Sequence, residues 1–130
     1  MYNFVKKEGF PKKERLTKNK EFERVFKQGK KIWINSLLLI IYVKNNLPFR
    51  RLGIVVSKKI KKATQRNRVK RLIRELFRRN KDLFPPNCDM IIIPHPNLVN
   101  LSYNELLEIA KKKLHAFRYE SFSNDKKINT

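Results

Sequence analysis

The sequence predicts an α+β fold, a two-layer sandwich in the order α-β-β-β-α-β-α with helices packed on a small four-stranded sheet. Three observations lead there. Apolar residues recur at helical spacing in three separate segments. Four short runs of branched and aromatic residues are better strands than helices, and Gly, Pro and Asn punctuate the intervals between them. The 130 residues suit one compact domain, and a 41% hydrophobic content is enough for a modest core.

Residues 1–14 are polar and basic, with Gly9 and Pro11, and read as a flexible N-terminal arm. A short helix follows, capped by Thr17 or Asn19 and closed by Gly29, with Phe22, Val25 and Phe26 on one face. Lys30 to Ile34 is a short strand bearing Trp33. Leu37 to Val43 is a second strand, and Asn45, Asn46 and Pro48 mark the loop after it. Leu52 to Ser57 is the third strand, in which Gly53 permits a bulge or a close backbone approach.

The second helix runs from about Thr64 to Asn80. Its Val69, Leu72, Ile73, Leu76 and Phe77 follow the i, i+3, i+4, i+7, i+8 pattern of a core-facing stripe, and Pro85 and Pro86 forbid its continuation. Asp89 to Ile93 is a buried strand stopped by Pro94 and Pro96. In the last helix Ser102 and Glu105 form a capping box, and Leu101 with Leu106 a hydrophobic staple. Leu107, Ala110, Leu114 and Phe117 continue its buried face. One domain over residues 15–117 is expected, followed by a polar, disordered tail over 118–130.

The charge is far from ordinary. Lys and Arg total 32 against 11 acids, a formal net charge of +21. A compact chain carrying that charge repels itself unless it meets a polyanion, and nucleic acid leads, ahead of an anionic membrane surface and of acidic proteins. The longest apolar run, Leu37 to Val43, is far too short to span a bilayer, and Met1 to Arg15 lack the apolar stretch of a secretory signal. The sole cysteine, Cys88, has no internal disulfide partner. These features fit a reducing cytoplasm and no membrane partner.

Lys58 to Lys81 holds twelve basic residues and one acid, Glu75. Lys58, Lys59, Lys61 and Lys62 lead into the second helix. Arg66, Asn67, Arg68, Lys70, Arg71, Arg74, Arg78 and Arg79 lie on it. At 100° per residue, Asn67, Arg71, Arg74 and Arg78 cluster opposite Val69 and Leu76, flanked by Arg68 and Lys70. An arginine fork clamps phosphate with two hydrogen bonds, and Asn67 can donate and accept at once. An ordinary solvated face mixes signs, and this one has almost no acids. Charge alone leaves RNA and DNA both open.

Several motifs in register resemble the bacterial ribonuclease P protein family. They are Arg66-Asn67-Arg68-Val69-Lys70-Arg71-Leu72-Ile73-Arg74-Glu75, the strand Leu52-Gly53-Ile54-Val55-Val56-Ser57 with Lys58-Lys59 after it, the helix Phe22-Glu23-Arg24-Val25-Phe26-Lys27-Gln28-Gly29, Asp89-Met90-Ile91-Ile92-Ile93, and the Leu101-Ser102-Tyr103 helix start. The match runs over roughly residues 15 to 117. It implies a bacterial, cytoplasmic protein subunit that pairs with ribonuclease P RNA, needs no protein partner, and assists removal of the 5′ leader from precursor tRNA. The RNA, with bound Mg²⁺, does the chemistry, so no catalytic residue, metal ligand or cofactor is assigned to the protein alone. The resemblance also implies a left-handed β-α-β crossover, against the general rule of hand.

On this resemblance the RNA-binding set is Lys58, Lys59, Lys62, Arg66, Asn67, Arg68, Lys70, Arg71, Arg74 and Arg78. The leader is expected in a cleft between the first helix and the sheet, lined by Phe22, Phe26, Leu38, Ile40 and Tyr42. Phe22 and Phe26 occupy the family's aromatic positions, and rings stack on unpaired bases without reading their identity. Both phenylalanines are equally well read as core. Leu38, Ile40 and Tyr42 share one strand face. Ile40 sits where the family often has tyrosine, and Tyr42 takes that place if the strand shifts by two residues. Lys61, Val55 and His95 stand where the family often has glycine, serine and arginine.

Cys88, His95 and His115 lack metal-ligand spacing, and Asp89 alone is weak evidence for a cation. No phosphate loop, nucleophile elbow or carboxylate cluster is present. Two rival readings are a general or ribosome-associated RNA-binding protein, and a self-sufficient metallonuclease.

Overall fold

The computed structural model describes the backbone of residues 9–129 and the side chains of residues 9–116. Its elements are α1 (Asn19–Gln28), β1 (Lys30–Ile34), β2 (Leu38–Lys44), β3 (Arg51–Ile54), α2 (Ala63–Arg79), β4 (Cys88–Pro94) and α3 (Tyr103–Asn129). Short 3-10 turns lie at Lys12–Glu14, Lys81–Leu83 and Pro96–Asn100.

The four strands form one sheet in the order β1-β2-β4-β3. β1 and β2 are an antiparallel hairpin, closed by a tight turn in which Asn35 and Ser36 take positive φ and the Leu37 N–H donates to the Ile34 carbonyl at 2.8 Å. β2 pairs antiparallel with β4, and β4 pairs parallel with β3. The β3–β4 connection therefore crosses over through α2.

Both faces of the sheet are covered. One carries Ile32, Ile34, Leu38, Ile40, Leu52, Met90 and Ile92 against α2 and α3, which contribute Val69, Leu72, Ile73, Leu76, Phe77, Leu106, Ala110 and Leu114. All five residues of the α2 stripe are buried, as their periodicity predicts. On the other face Leu39, Ile41 and Ile91 meet α1 through Val25 and Phe22. This double burial explains why β2 is apolar on both sides.

The ends of the helices are partly as expected. Ser102 and Glu105 cap α3 reciprocally, with Glu105 N–H to Ser102 Oγ at 3.2 Å and Ser102 N–H to Glu105 Oε1 at 3.1 Å. The N-cap of α1 is neither Thr17 nor Asn19 but Lys18, whose side chain accepts nothing. Instead Glu21 Oε1 accepts the backbone N–H groups of Thr17 and Lys18, both at 3.0 Å. The backbone of α3 stays helical to Asn129, past the point near residue 118 where a disordered tail was expected. Phe117 lies outside the described side chains.

The arm is not free along its whole length. Residues 1–8 lie outside the described residues, but Phe10 packs edge-on against Phe77 at 5.5 Å and Glu14 pairs with Lys81 at 2.8 Å. Arg15 donates back to the Phe10 carbonyl and bridges to Leu52 at the outer edge of β3. A phenylalanine that finds an aromatic cluster orders the chain around it. Polar composition alone does not reveal this.

Candidate nucleic-acid interface

The basic surface is built by α2 and the connection before it. Lys58, Lys59 and Lys62 are exposed in that connection, and Asn67, Arg71 and Arg74 are exposed on the helix opposite the buried stripe, with Lys70 half-buried beside them. Among the described residues these seven side chains have no polar partner. Their arrangement is electrostatically costly for an isolated protein. The first turn of α2 has no acid and its N-cap, Lys62, makes no side-chain cap, so lysines crowd the positive end of a helix dipole. A polyanion laid on this surface offsets both costs.

Three of the ten predicted RNA-binding residues are already engaged. Arg68 donates to the carbonyls of Val99 at 2.9 Å and Leu101 at 2.6 Å, tying α2 to the turn before α3. Arg66 donates to the Ile60 and Lys61 carbonyls at 2.8 and 2.9 Å and closes the incoming loop. Arg78 pairs with Glu75 at 2.9 Å. The Glu75 carboxyl is held below its ordinary value chiefly by its hydrogen bond from Arg78, with Arg79 also contributing.

The strand side of the predicted cleft is inverted. Leu38, Ile40 and Tyr42 do not face α1. They lie on the α2–α3 face, Leu38 and Ile40 fully buried there. The residues under α1 are the alternate ones, Leu39, Ile41 and Val43. A strand apolar on both sides carries no alternation from which its phase can be read.

The two phenylalanines also part company. Phe22 is half-buried and lies on Gly53: a Cβ at that glycine would sit 2.5 Å from the Phe22 ring. That close approach is what Gly53 provides. Phe26 is 46% exposed, and the other large exposed apolar residue on the described surface is Trp33, at 56%. Trp33 pairs in register with Leu39 and so stands on the α1 face of the edge strand. No sequence motif marked it as a site residue. The signal was the alternation of buried Ile32 and Ile34 around it.

One end of this face is closed by charge. Asp89 is 1% exposed, and Arg51 grips both its oxygens at 2.7 and 2.8 Å. Arg24 approaches it at 3.5 Å, Asn45 donates to it at 2.9 Å, and Arg51 also reaches Glu21 at 2.6 Å. Arg24 additionally donates to the Lys44 carbonyl. Burial alone would raise the Glu21 carboxyl, but the N–H groups of Lys18 and Thr17 and the nearby Arg51 outweigh it and hold its pKa down. Glu21 and Arg24 leave α1 on the side facing this network, and Phe26 leaves on the other.

The signals set aside in the sequence have local explanations. Asp89 is an ion-pair member. His95 Nδ1 accepts from the Asn97 N–H at 3.1 Å and caps a turn, and burial pushes the Cys88 thiol up. Among the described residues no group of three His, Cys, Asp or Glu side chains could hold a metal ion, and no helix is long and apolar enough to cross a membrane.

Comparison with known proteins gives one family. The family model named Ribonuclease P matches residues 10–118. A relative in Thermotoga maritima, a ribonuclease P protein component, is 44% identical over 91 residues, which cover 70% of this chain and 77% of that one. Among solved structures, the Thermotoga maritima ribonuclease P protein matches with a TM-score of 0.64 at 37% identity, covering 76% of this chain and 96% of that chain. The Staphylococcus aureus protein matches with a TM-score of 0.69 at 30% identity, covering 79% and 94%. Strand order and the left-handed crossover are consistent with these structures.

Proposed function

The chain belongs to the ribonuclease P protein family, and from that premise we propose how its two surfaces divide the work of the ribonucleoprotein. It is a protein subunit of that endonuclease, acts with ribonuclease P RNA, and serves the making of tRNA 5′ ends.

In our reading the exposed ridge of Asn67, Arg71 and Arg74, with Lys58, Lys59, Lys62 and Lys70, binds the folded RNA subunit. Dense phosphates suit arginine forks, and a helix start crowded with cations is relieved by them. Arg66 and Arg68 act through the backbone they hold, keeping the loop and α2 in place. The α1 face of the sheet receives the single-stranded 5′ leader of precursor tRNA. The observation that carries this assignment is Phe26, a large ring left 46% exposed on the helix that covers this apolar sheet face. Exposed rings serve unpaired bases, which a leader has and a folded duplex lacks.

Among the described residues no group of three His, Cys, Asp or Glu side chains could hold Mg²⁺. Asp89 is taken up by Arg51, Arg24 and Asn45, and Glu75 by Arg78 and Arg79. The cation belongs, on this reading, to the RNA subunit, where it supports hydrolysis.

The test is cleavage of precursor tRNA by the cognate RNA across a Mg²⁺ series, with and without the protein. The protein is expected to lower the Mg²⁺ needed. A protein that binds the RNA tightly yet leaves the Mg²⁺ requirement unchanged is a general RNA binder, and this reading fails.

A further inference from the structure

The α1 face of the sheet ends, on the edge strand, in an exposed residue that no motif marks. Across the open end of the sheet run four side chains in register, one from each strand or its extension: Trp33, Leu39, Ile93 and Val55. Val55 continues β3 by donating its N–H to the Ile92 carbonyl at 3.0 Å, and three residues further on the chain enters the lysines before α2. Leu39, Ile93 and Val55 belong to the cluster under α1, the helix that also carries the exposed Phe26. The row therefore leads from the basic connection, across apolar floor, to an exposed tryptophan on the edge strand.

We propose that Trp33 is the terminal stacking platform of this track and sets how many leader nucleotides the protein engages. The proposal rests on the leader reading above. The occupant is single-stranded RNA on grounds of charge as well as shape. Lys31 stands two residues before Trp33 on the same face of β1, exposed, and Lys30 beside it is also exposed. An aromatic platform flanked by cations is what a strand of stacked bases with a phosphate backbone needs. Three inter-strand gaps of about 4.8 Å separate Val55 from Trp33, roughly 14 Å. That is room for about four nucleotides at a stacked spacing of about 3.4 Å. Leaders too short to cross the row cannot reach the ring.

Trp33 is the one tryptophan of the chain, so its fluorescence reports on the platform directly. The experiment uses the holoenzyme reconstituted with its RNA and precursor tRNAs whose leaders are shortened one nucleotide at a time. Long leaders should quench Trp33 emission, while short leaders and mature tRNA should not. Trp33→Ala should weaken binding of long-leader substrate roughly 5- to 100-fold, the span of one lost base–aromatic stack, and match wild type once the leader is short. Trp33→Phe should retain most of the affinity, and thermal unfolding of each variant on the same sample excludes a folding defect. If Phe26→Ala loses leader affinity but Trp33→Ala matches wild type at every length, the leader reading stands and the Trp33 proposal falls. If leader length and both variants are without effect, the leader reading itself has failed. Quenching by mature tRNA, or emission that shifts with protein concentration alone, would also overturn the proposal, the latter by showing a second copy on the patch.

Discussion

Arg51 holds Asp89 by two hydrogen bonds of 2.7 and 2.8 Å, and the two sit in very different surroundings: the Asp89 side chain is 1% exposed and that of Arg51 21%. The asymmetry orders the consequences of breaking the pair. Arg51→Ala strands a buried carboxylate with only Arg24 and Asn45 near it, a loss of about 3–5 kcal/mol. Asp89→Ala leaves an arginine that still reaches Glu21 and water, and should cost less. Urea denaturation of both variants checks the order, and equal losses would mean that Arg24 compensates.

Glu21 makes the same network sensitive to acid. Its folded pKa is depressed below the ordinary value, so its contribution is fully present above the unfolded carboxylate pKa of about 4.3 and is lost as pH falls through the folded value. The denaturation midpoint should fall on acidification below about pH 5. In Glu21→Gln that fall should be shallower. Parallel curves for the two proteins would remove Glu21 from the account.

The arginines of α2 should separate into two kinds. Arg71→Ala and Arg74→Ala remove exposed, unpaired forks and should weaken binding to ribonuclease P RNA while leaving thermal stability unchanged. Arg68→Ala removes the donor to Val99 and Leu101 and should lower stability by about 1 kcal/mol, the net worth of such hydrogen bonds at an exposed site. Ile73→Ala, fully buried on the opposite side, should cost about 2–5 kcal/mol. Unfolding caused by Arg71→Ala would reverse the assignment of faces.

Salt should act strongly on the same surface. Each phosphate neutralised releases condensed counterion, so RNA affinity should fall by orders of magnitude from low to moderate salt, and Arg71→Ala should reduce the slope by about one. A flat response would exclude phosphate contacts as the source of affinity.

The α2 stripe was legible because one side of that helix is apolar and the other charged, so periodicity fixes its orientation. All five of its predicted core residues are buried. β2 offered no such contrast. Leu38 to Val43 is apolar at every position, and only its neighbours in space decide that Leu39 rather than Leu38 faces α1. The roles of Arg66 and Arg68 were equally invisible. Helical phase placed both on or beside the charged face, but the carbonyls they hold come from a loop and from a turn some thirty residues later in the chain. Trp33 shows the converse, a residue whose exposure follows from alternation but whose meaning needs the sheet row it ends.

Phe22 and Phe26, four residues apart on α1, should fail in different ways. Phe22 lies on Gly53 and fills the space a side chain there would take, so Phe22→Ala opens a cavity between helix and sheet and should destabilise the fold by about 3–5 kcal/mol, less where the half-exposed ring already meets water. Phe26 is nearly half exposed, so Phe26→Ala should barely change stability. Its effect should appear in binding. A lost base stack is worth roughly 1–3 kcal/mol, and that loss should fall on leader-bearing precursor tRNA bound to the holoenzyme. Mature tRNA has no leader and should bind as before. Stability must be measured on the same preparation, because a lifted α1 would mimic the loss. If folded Phe26→Ala protein loses affinity equally for precursor and mature tRNA, the ring contacts something other than the leader, and the face under α1 is not where the leader lies.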